Sequence, residues 1–531
     1  MSHVPSLPKR SPALPASILL AVLLVWPAAA MAQPAPSSAY PEPPAGETPP
    51  PPPPADEPLP PLPPPAPPPA PAPTPAPPVA PPPPAATVAP APPGVPELTL
   101  AEPLAGWSDG TAFLRSPDNL FFLFPNGRLQ LDGLFYRSDD KTPFNSFIIR
   151  RARLETAGWI GTFAYFHIAA DFAVGAPAAA APVAQSNLNT TDDYIGIAPW
   201  KTLAILQFGQ YDAPFTLENR TSDKYFDFME RSVTVRAFGI PDNKEIGAML
   251  TGYNDDRNYL YSIGVFNGDG QNFRNVDGFF DVIGRGWLAP FSFNGPEILH
   301  DAAVGASFWT GNRSNALAAA TQTTQDGFAF WSPSWTWKTG STSTPMQLRQ
   351  QGRLNEFALE LNVPVAHKYG IRSEYVWKHQ PLSAENVTNP ATSVILGGVN
   401  LKGWSMYAEA WFWALGDDRI IGDQQGIEPY TRWKKFGVRP PQDGVMLAFR
   451  FEYLTEDTTE ESDAAMLMFG DPEIGTTKVW VYEFGVNYWH SKRFRATFNY
   501  DFNHFAGNAP AITMLPSNDV QEFSFRLAIA L

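Results

Sequence analysis

From about Gly127 to Leu531, apolar residues recur at every second position. Side chains of a strand point to opposite faces in turn, so this period predicts strands. At the C-terminus Phe523, Phe525, Leu527, Ile529 and Leu531 alternate with Glu522, Ser524, Arg526, Ala528 and Ala530. Phe494, Ala496, Phe498, Tyr500 and Phe502 alternate with polar neighbours that include Arg495 and Asp501. Phe357, Leu359, Leu361 and Val363 do so with Glu356 and Glu360 between them, and Val445, Leu447, Phe449, Phe451 and Tyr453 with Arg450 and Glu452. Ala164, Phe166, Ile168, Ala170 and Phe172 alternate with Tyr165, His167 and Asp171.

Strands are expected to start near 128, 147, 162, 191, 203, 246, 258, 280, 300, 353, 370, 403, 443, 478, 494 and 520. The stretch 392–401 is a candidate for a further strand. Sixteen is even, as it must be when both termini lie on one side. Segments of about ten residues with an apolar face and a charged face suit a transmembrane barrel better than a sandwich. In lipid every backbone polar group must be paired internally, which leaves only helices and closed barrels. No segment after the first 32 residues is long and apolar enough for a helix; 173–184 is broken by Pro177 and Pro182. The expected fold is therefore all-β, a transmembrane antiparallel β-barrel of about sixteen strands. Arg150 and Arg151 break the rule, because adjacent residues should face both ways; one is expected at a membrane interface. Short connections at Pro199–Lys201, Asn254–Arg257, His367–Gly370 and His490–Arg493 are expected on the periplasmic side. The 416–441 connection falls on that side too, yet it is long.

Composition divides the chain before the barrel. Of 60 Pro in 531 residues, 33 lie between Gln33 and Leu100. Residues 33–98 have five acids, no Lys or Arg and few large apolar side chains, so they are expected to be a disordered, proline-rich spacer with polyproline II character. Contact with the cell wall is one role for such a tether. Residues 1–32 read as a secretory signal: Lys9 and Arg10, then an apolar run, then Ala30-Met31-Ala32 with cleavage expected after Ala32. Residues 99–531 are the barrel domain, and the expected location is the cell outer membrane, in contact with its lipid.

Charge and motifs remove other classes. The net charge of −15 argues against a nucleic-acid partner. With no Cys, disulfides, thiolate metal sites and Cys nucleophiles are excluded. No HExxH or GxSxG occurs, and the seven His are scattered. No catalytic residue, metal site or cofactor is expected, and the chain does not read as an enzyme. Asn267–Gly278 lacks the spacing of a calcium loop and reads as a polar external loop. His167 and Asp171 share a face, where they are able to pair. The functional reading is a porin for passive diffusion of small hydrophilic solutes or ions. Rival readings are a structural or adhesive outer-membrane barrel, and a secreted all-β carbohydrate-binding protein or enzyme.

Several stretches resemble one family. They are Phe147–Gly158 (FIIRRARLETAG), Leu206–Asn219 (LQFGQYDAPFTLEN), Phe228–Arg231 (FMER), Tyr261–Gly270 (YSIGVFNGDG), Gly284–Phe291 (GRGWLAPF) and Phe484–Trp489 (FGVNYW). Together they resemble the phosphate-selective porin O and P family of outer-membrane channels. The resemblance implies a sixteen-stranded barrel, usually a homotrimer, whose third external loop folds inward to narrow the pore. It places that loop at about 212–245. Phosphate-selective members line the route with Arg and Lys, so the resemblance implies phosphate or other anions as permeants. Candidate lining residues here are Arg151, Arg153, His167, Asp171, Arg220, Lys224, Arg231, Arg236, Arg372, Arg450, Arg495 and Arg526, with Glu356, Glu360, Glu374, Glu452 and Asp501 as further acids. Within 212–245 acids outnumber bases, so the segment is mildly acidic where a phosphate filter would be basic.

Overall fold

The computed structural model describes residues 104–530, apart from 109–110, 139–144, 162, 174–185, 255–257, 340–341, 387–394, 422–442, 461–474 and 509–517. The signal sequence expected at 1–32 and the spacer expected at 33–98 lie outside the described residues, as does most of the long 416–441 connection.

Sixteen antiparallel strands close into a barrel. In chain order they are β1 (Phe121–Ser138), β2 (Asn145–Ile160), β3 (Ala164–Ala173), β4 (Asp193–Ile197), β5 (Ile205–Asp212), β6 (Lys244–Tyr253), β7 (Tyr259–Phe266) and β8 (Asp281–Leu288). The wall continues with β9 (Ala303–Ala318), β10 (Thr342–Val365), β11 (Tyr369–Asn386), β12 (Ile395–Leu415), β13 (Gly444–Glu460), β14 (Gly475–Ser491), β15 (Phe494–Gly507) and β16 (Asp519–Ala530). Each strand pairs with its sequence neighbours, and β16 returns to β1, with Arg526 opposite Asp132. Closure leaves no wall strand with an unpaired edge, which lipid would penalise. A short hairpin, Ala105–Ser108 with Thr111–Arg115, adds to the start of β1.

The period of two is realised as two surfaces. Along β14 Glu483, Asn487 and Trp489 are buried inside, while Tyr482, Phe484, Val486 and Tyr488 are exposed outside. Phe498 and Phe525 sit opposite each other on the outer face, as do Phe449 and Phe484. The outside is thus the apolar belt that a bilayer requires, and the charges keep to the inside.

All sixteen expected strands are present. The stretch near 392–401 is not a seventeenth strand: its described part belongs to β12, which begins at Ile395. Arg150 and Arg151 also resolve differently from the expectation of an interface position. The β1–β2 register slips there, with Arg151 opposite Gln130 and Ile149 opposite Leu131, so Arg150 is a bulge residue. A bulge inserts one residue and re-aims the strand. Both arginines consequently turn inward, and both reach Glu230.

Candidate pore constriction

The segment between β5 and β6, residues 213–243, folds into the barrel. Asp212 and Lys244 are directly paired at its base, so the wall is continuous beneath it. Two short helices give it shape: α1 (Leu217–Arg220), whose first turn is capped by Thr216, and α2 (Val233–Phe238), capped by Ser232. Each cap hydroxyl accepts a bond from a backbone N–H that the helix cannot itself satisfy. Thr216 holds a positive φ of 60°, a strained setting for a β-branched residue. Glu374 on β11 fixes the start of α1 from the wall, accepting from the Leu217 and Glu218 amides at 3.1 and 2.7 Å. Apolar anchors complete the docking: Phe215, Phe228 and Phe238 are fully buried, and Met229 packs on wall residues Leu134 and Ile148.

The segment's four inward acids each meet wall arginines. Glu218 takes Arg450 at 2.8 Å. Asp223 takes Arg128, Arg151 at 2.8 Å and Arg153 at 3.4 Å. Asp227 takes Arg372 at 2.9 Å. Glu230 takes Arg150 at 2.9 Å, Arg151 at 3.1 Å and Arg526 at 2.7 Å. Burial alone would raise the Asp223 and Glu230 carboxyls, but the arginines outweigh it and hold both well below the usual carboxylate range. This explains the mild acidity of 212–245: the acids are the docking groups and the wall supplies the cations.

The segment's own cations have other roles. Arg231 donates to the carbonyls of Glu218, Asn219 and Thr221 and lies over the Phe226 ring, so it staples the loop to itself. Lys224 bonds Glu155 at 3.3 Å. Arg220 bonds the Asp212 carbonyl. Arg236 donates to the Arg231 carbonyl and, at 2.6 Å, to the Thr323 carbonyl.

His167 and Asp171 do not pair with each other. Asp171 accepts from Arg153 at 2.6 Å, and His167 stands 3.9 Å from Glu155. Arg153 binds Asp171 and Asp223, while Glu155 is taken by Arg128. Glu360 pairs with Arg285, and Glu356 with Lys378. Glu452 accepts from the Val233 amide and faces Arg450. The carboxylate oxygens of Asp501 have no hydrogen-bond partner. No group of residues suited to a metal ion occurs among the described residues.

Arg128 and Asp132 belong to this network and were not among the sequence candidates, nor was a second inward segment, residues 319–331. It carries a small hairpin, Gln322–Thr323 against Ala329–Trp331. Thr324 bonds Glu522, Gln322 bonds Glu456 at 2.8 Å, and Ser524 donates to Asp326 at 2.8 Å. Phe328 and Phe330 pack on Phe505. Alternation of Phe328 and Phe330 was the available signal, but it reads as an ordinary strand.

Asp326 is expected to make the second segment pH-sensitive. Burial pushes its carboxyl well above the ordinary value of 3.8, and Glu522 and Asp132 add to this against Ser524 and Arg236. An acid with a raised value favours the docked state while protonated. Docking is therefore strongest below 3.8 and weakens as pH rises from there through the raised value. Asp223 and Glu230 have the opposite sign: their docking is fully present above the ordinary carboxylate range and is lost only far below it. Conductance in a bilayer is expected to rise with pH, and Asp326→Asn is expected to flatten the response. A wild-type conductance independent of pH would refute this assignment.

Among solved structures, the trimer form of OmpT from Vibrio cholerae is 10% identical, covers 77% of this chain and 99% of its own, and has a TM-score of 0.45. The outer membrane channel DcaP of Acinetobacter baumannii is 9% identical, covers 79% and 99%, and scores 0.45. The anion-selective porin from Comamonas acidovorans is 10% identical, covers 77% and 100%, and scores 0.41. A comparison with curated protein sequences gives no match. Residues 126–327, which span β1 to β9 and the whole 213–243 segment, match the model of the family described as phosphate-selective porin O and P, so the resemblance carried by the FIIRRARLETAG and LQFGQYDAPFTLEN motifs holds.

Proposed function

We propose that the chain is an outer-membrane porin through which small hydrophilic solutes and ions diffuse passively. The observation that carries this reading is a closed sixteen-strand wall, apolar outside and charged inside, with one external segment drawn into the lumen by four acids that meet wall arginines. A polar lumen lowers the barrier that lipid sets against a charged solute. The inward segment sets the size limit, and charges of both signs around it orient dipolar solutes and bias ions.

The reading extends to the whole chain. Residues 1–32 direct export and are cleaved after Ala32, 33–98 act as a proline-rich spacer with cell-wall contact, and 99–531 form the barrel. Assembly as a homotrimer follows the family resemblance. Arg151, Arg153, Arg372, Arg450, Arg495 and Arg526 from the wall, with Arg220, Lys224, Arg231 and Arg236 from the inward segment and His167 and Asp171 beside it, set the lumen's electrostatics. Most of these cations are neutralised by carboxylates or committed to backbone carbonyls. The porin is accordingly proposed as a general ion and solute channel, with phosphate as one permeant among several.

Purified protein reconstituted in a planar bilayer tests this. Stepwise conductance is expected, with a modest reversal potential across a KCl gradient. Sealed insertions without conductance would assign a structural barrel instead.

A further inference from the structure

Arg495, at the start of β15, differs from the wall arginines that meet carboxylates. It is 2% exposed. Its Nη1 donates to the Phe226 carbonyl at 2.6 Å. Its Nε and Nη2 have no hydrogen-bond partner, and no carboxylate of the described residues forms an ion pair with it. Arg526, on the neighbouring strand, has Asp132 and Glu230. The Arg495 guanidinium lies 5.0 Å from the Trp489 ring centre. Trp489 and Trp413 also carry buried indole N–H groups without partners. Both belong to one apolar cluster with Met446 and with Phe228 of the inward segment.

We propose that Arg495 and Trp489 form a transit site for a monocarboxylate carried on an aromatic body. Burying a charge without a counter-charge is costly, so the missing partner is supplied from outside the chain. The unused Nε–Nη2 edge of a guanidinium is a planar fork that matches the two oxygens of a carboxylate. One unpaired positive charge balances one negative charge. A doubly charged phosphate would leave an excess, with its remaining oxygens beside the Trp489 ring and the apolar cluster it belongs to. The same apolar side chains accept an aromatic ring, which packs well against indole. Arg495 is itself tied to the inward segment through the Phe226 carbonyl, so a ligand is admitted as that stretch yields. The inference rests on the porin reading and names a substrate class for its lumen.

The test uses the full-length protein in a planar bilayer in KCl, with benzoate, acetate and inorganic phosphate as probes. Benzoate is expected to reduce the current at about one-tenth the concentration of the other two, the gain over acetate being at the upper end of what an aromatic contact supplies. Arg495→Gln is expected to weaken benzoate block about tenfold. Trp489→Leu is expected to keep the acetate response and remove the benzoate advantage. A conducting wild-type channel with no benzoate preference overturns this site and leaves the porin reading standing. Absence of any conductance overturns the porin reading itself and the site with it. Should Arg495→Gln fail to insert, an undiminished benzoate preference in Trp489→Leu overturns the site.

Discussion

Replacing residues 217–239 with a short Gly/Ser linker is expected to raise single-channel conductance several-fold. The wall does not depend on this segment, because Asp212 and Lys244 close the β5–β6 ladder beneath it. A sixteen-strand barrel is wide enough for an aqueous channel once its contents are removed. The excised stretch holds four acids (Glu218, Asp223, Asp227, Glu230) and four bases (Arg220, Lys224, Arg231, Arg236). Its net charge is zero, so the reversal potential is expected to change far less than the conductance. Unchanged conductance, measured on variants that insert normally, would show that the segment does not set the limit.

Arg450→Met is expected to release the same segment by a different route. Arg450 is 1% exposed and sits among Glu218 at 2.8 Å, Glu483 at 2.5 Å, Glu452 at 3.1 Å and Glu409 at 3.8 Å. It also donates to the Glu230 carbonyl and lies over the Phe228 ring at 4.4 Å. Removing one member of a buried ionic cluster costs about 3–5 kcal/mol, because the remaining charges stay desolvated and unpaired. Glu409 keeps Arg372, while Glu218, Glu452 and Glu483 recover their solvation most easily if the segment lifts and water enters. Conductance is expected to rise, with a shift toward cations, since one positive charge leaves and three acids become wet. Arg450→Lys is expected to keep the selectivity and lose part of the docking, as an ammonium lacks the planar fork. A channel of unaltered conductance and selectivity in Arg450→Met would refute the docking role.

Strand number and facing were legible because the period of two is local: each of Phe523, Phe525, Leu527 and Ile529 declares its face through its immediate neighbours. The inward segment was legible only through the family resemblance of Leu206–Asn219. What it docks on was not legible. Asp223 meets Arg151 across 72 positions and Glu230 meets Arg526 across 296, and no local pattern encodes such partners. The second inward segment was hidden for the opposite reason. Its Phe328 and Phe330 alternate as a wall strand would, while their partner Phe505 lies far along the chain. Arg150 was misplaced because parity assumes an unbroken ladder, and a bulge breaks it.

That bulge also bears on how the wall tolerates a change in chain length. Inserting a residue into a strand ordinarily moves every later side chain to the wrong face. Here the extra residue is absorbed at Arg150: Ile149 before it and Leu154 after it both still face outward. The bulge thus adds a lumen cation at Arg150 while Gln130 and Leu131 of β1 stay paired on either side of it. A one-residue insertion or deletion engineered at this position is therefore expected to change the interior charge and leave the apolar belt in register.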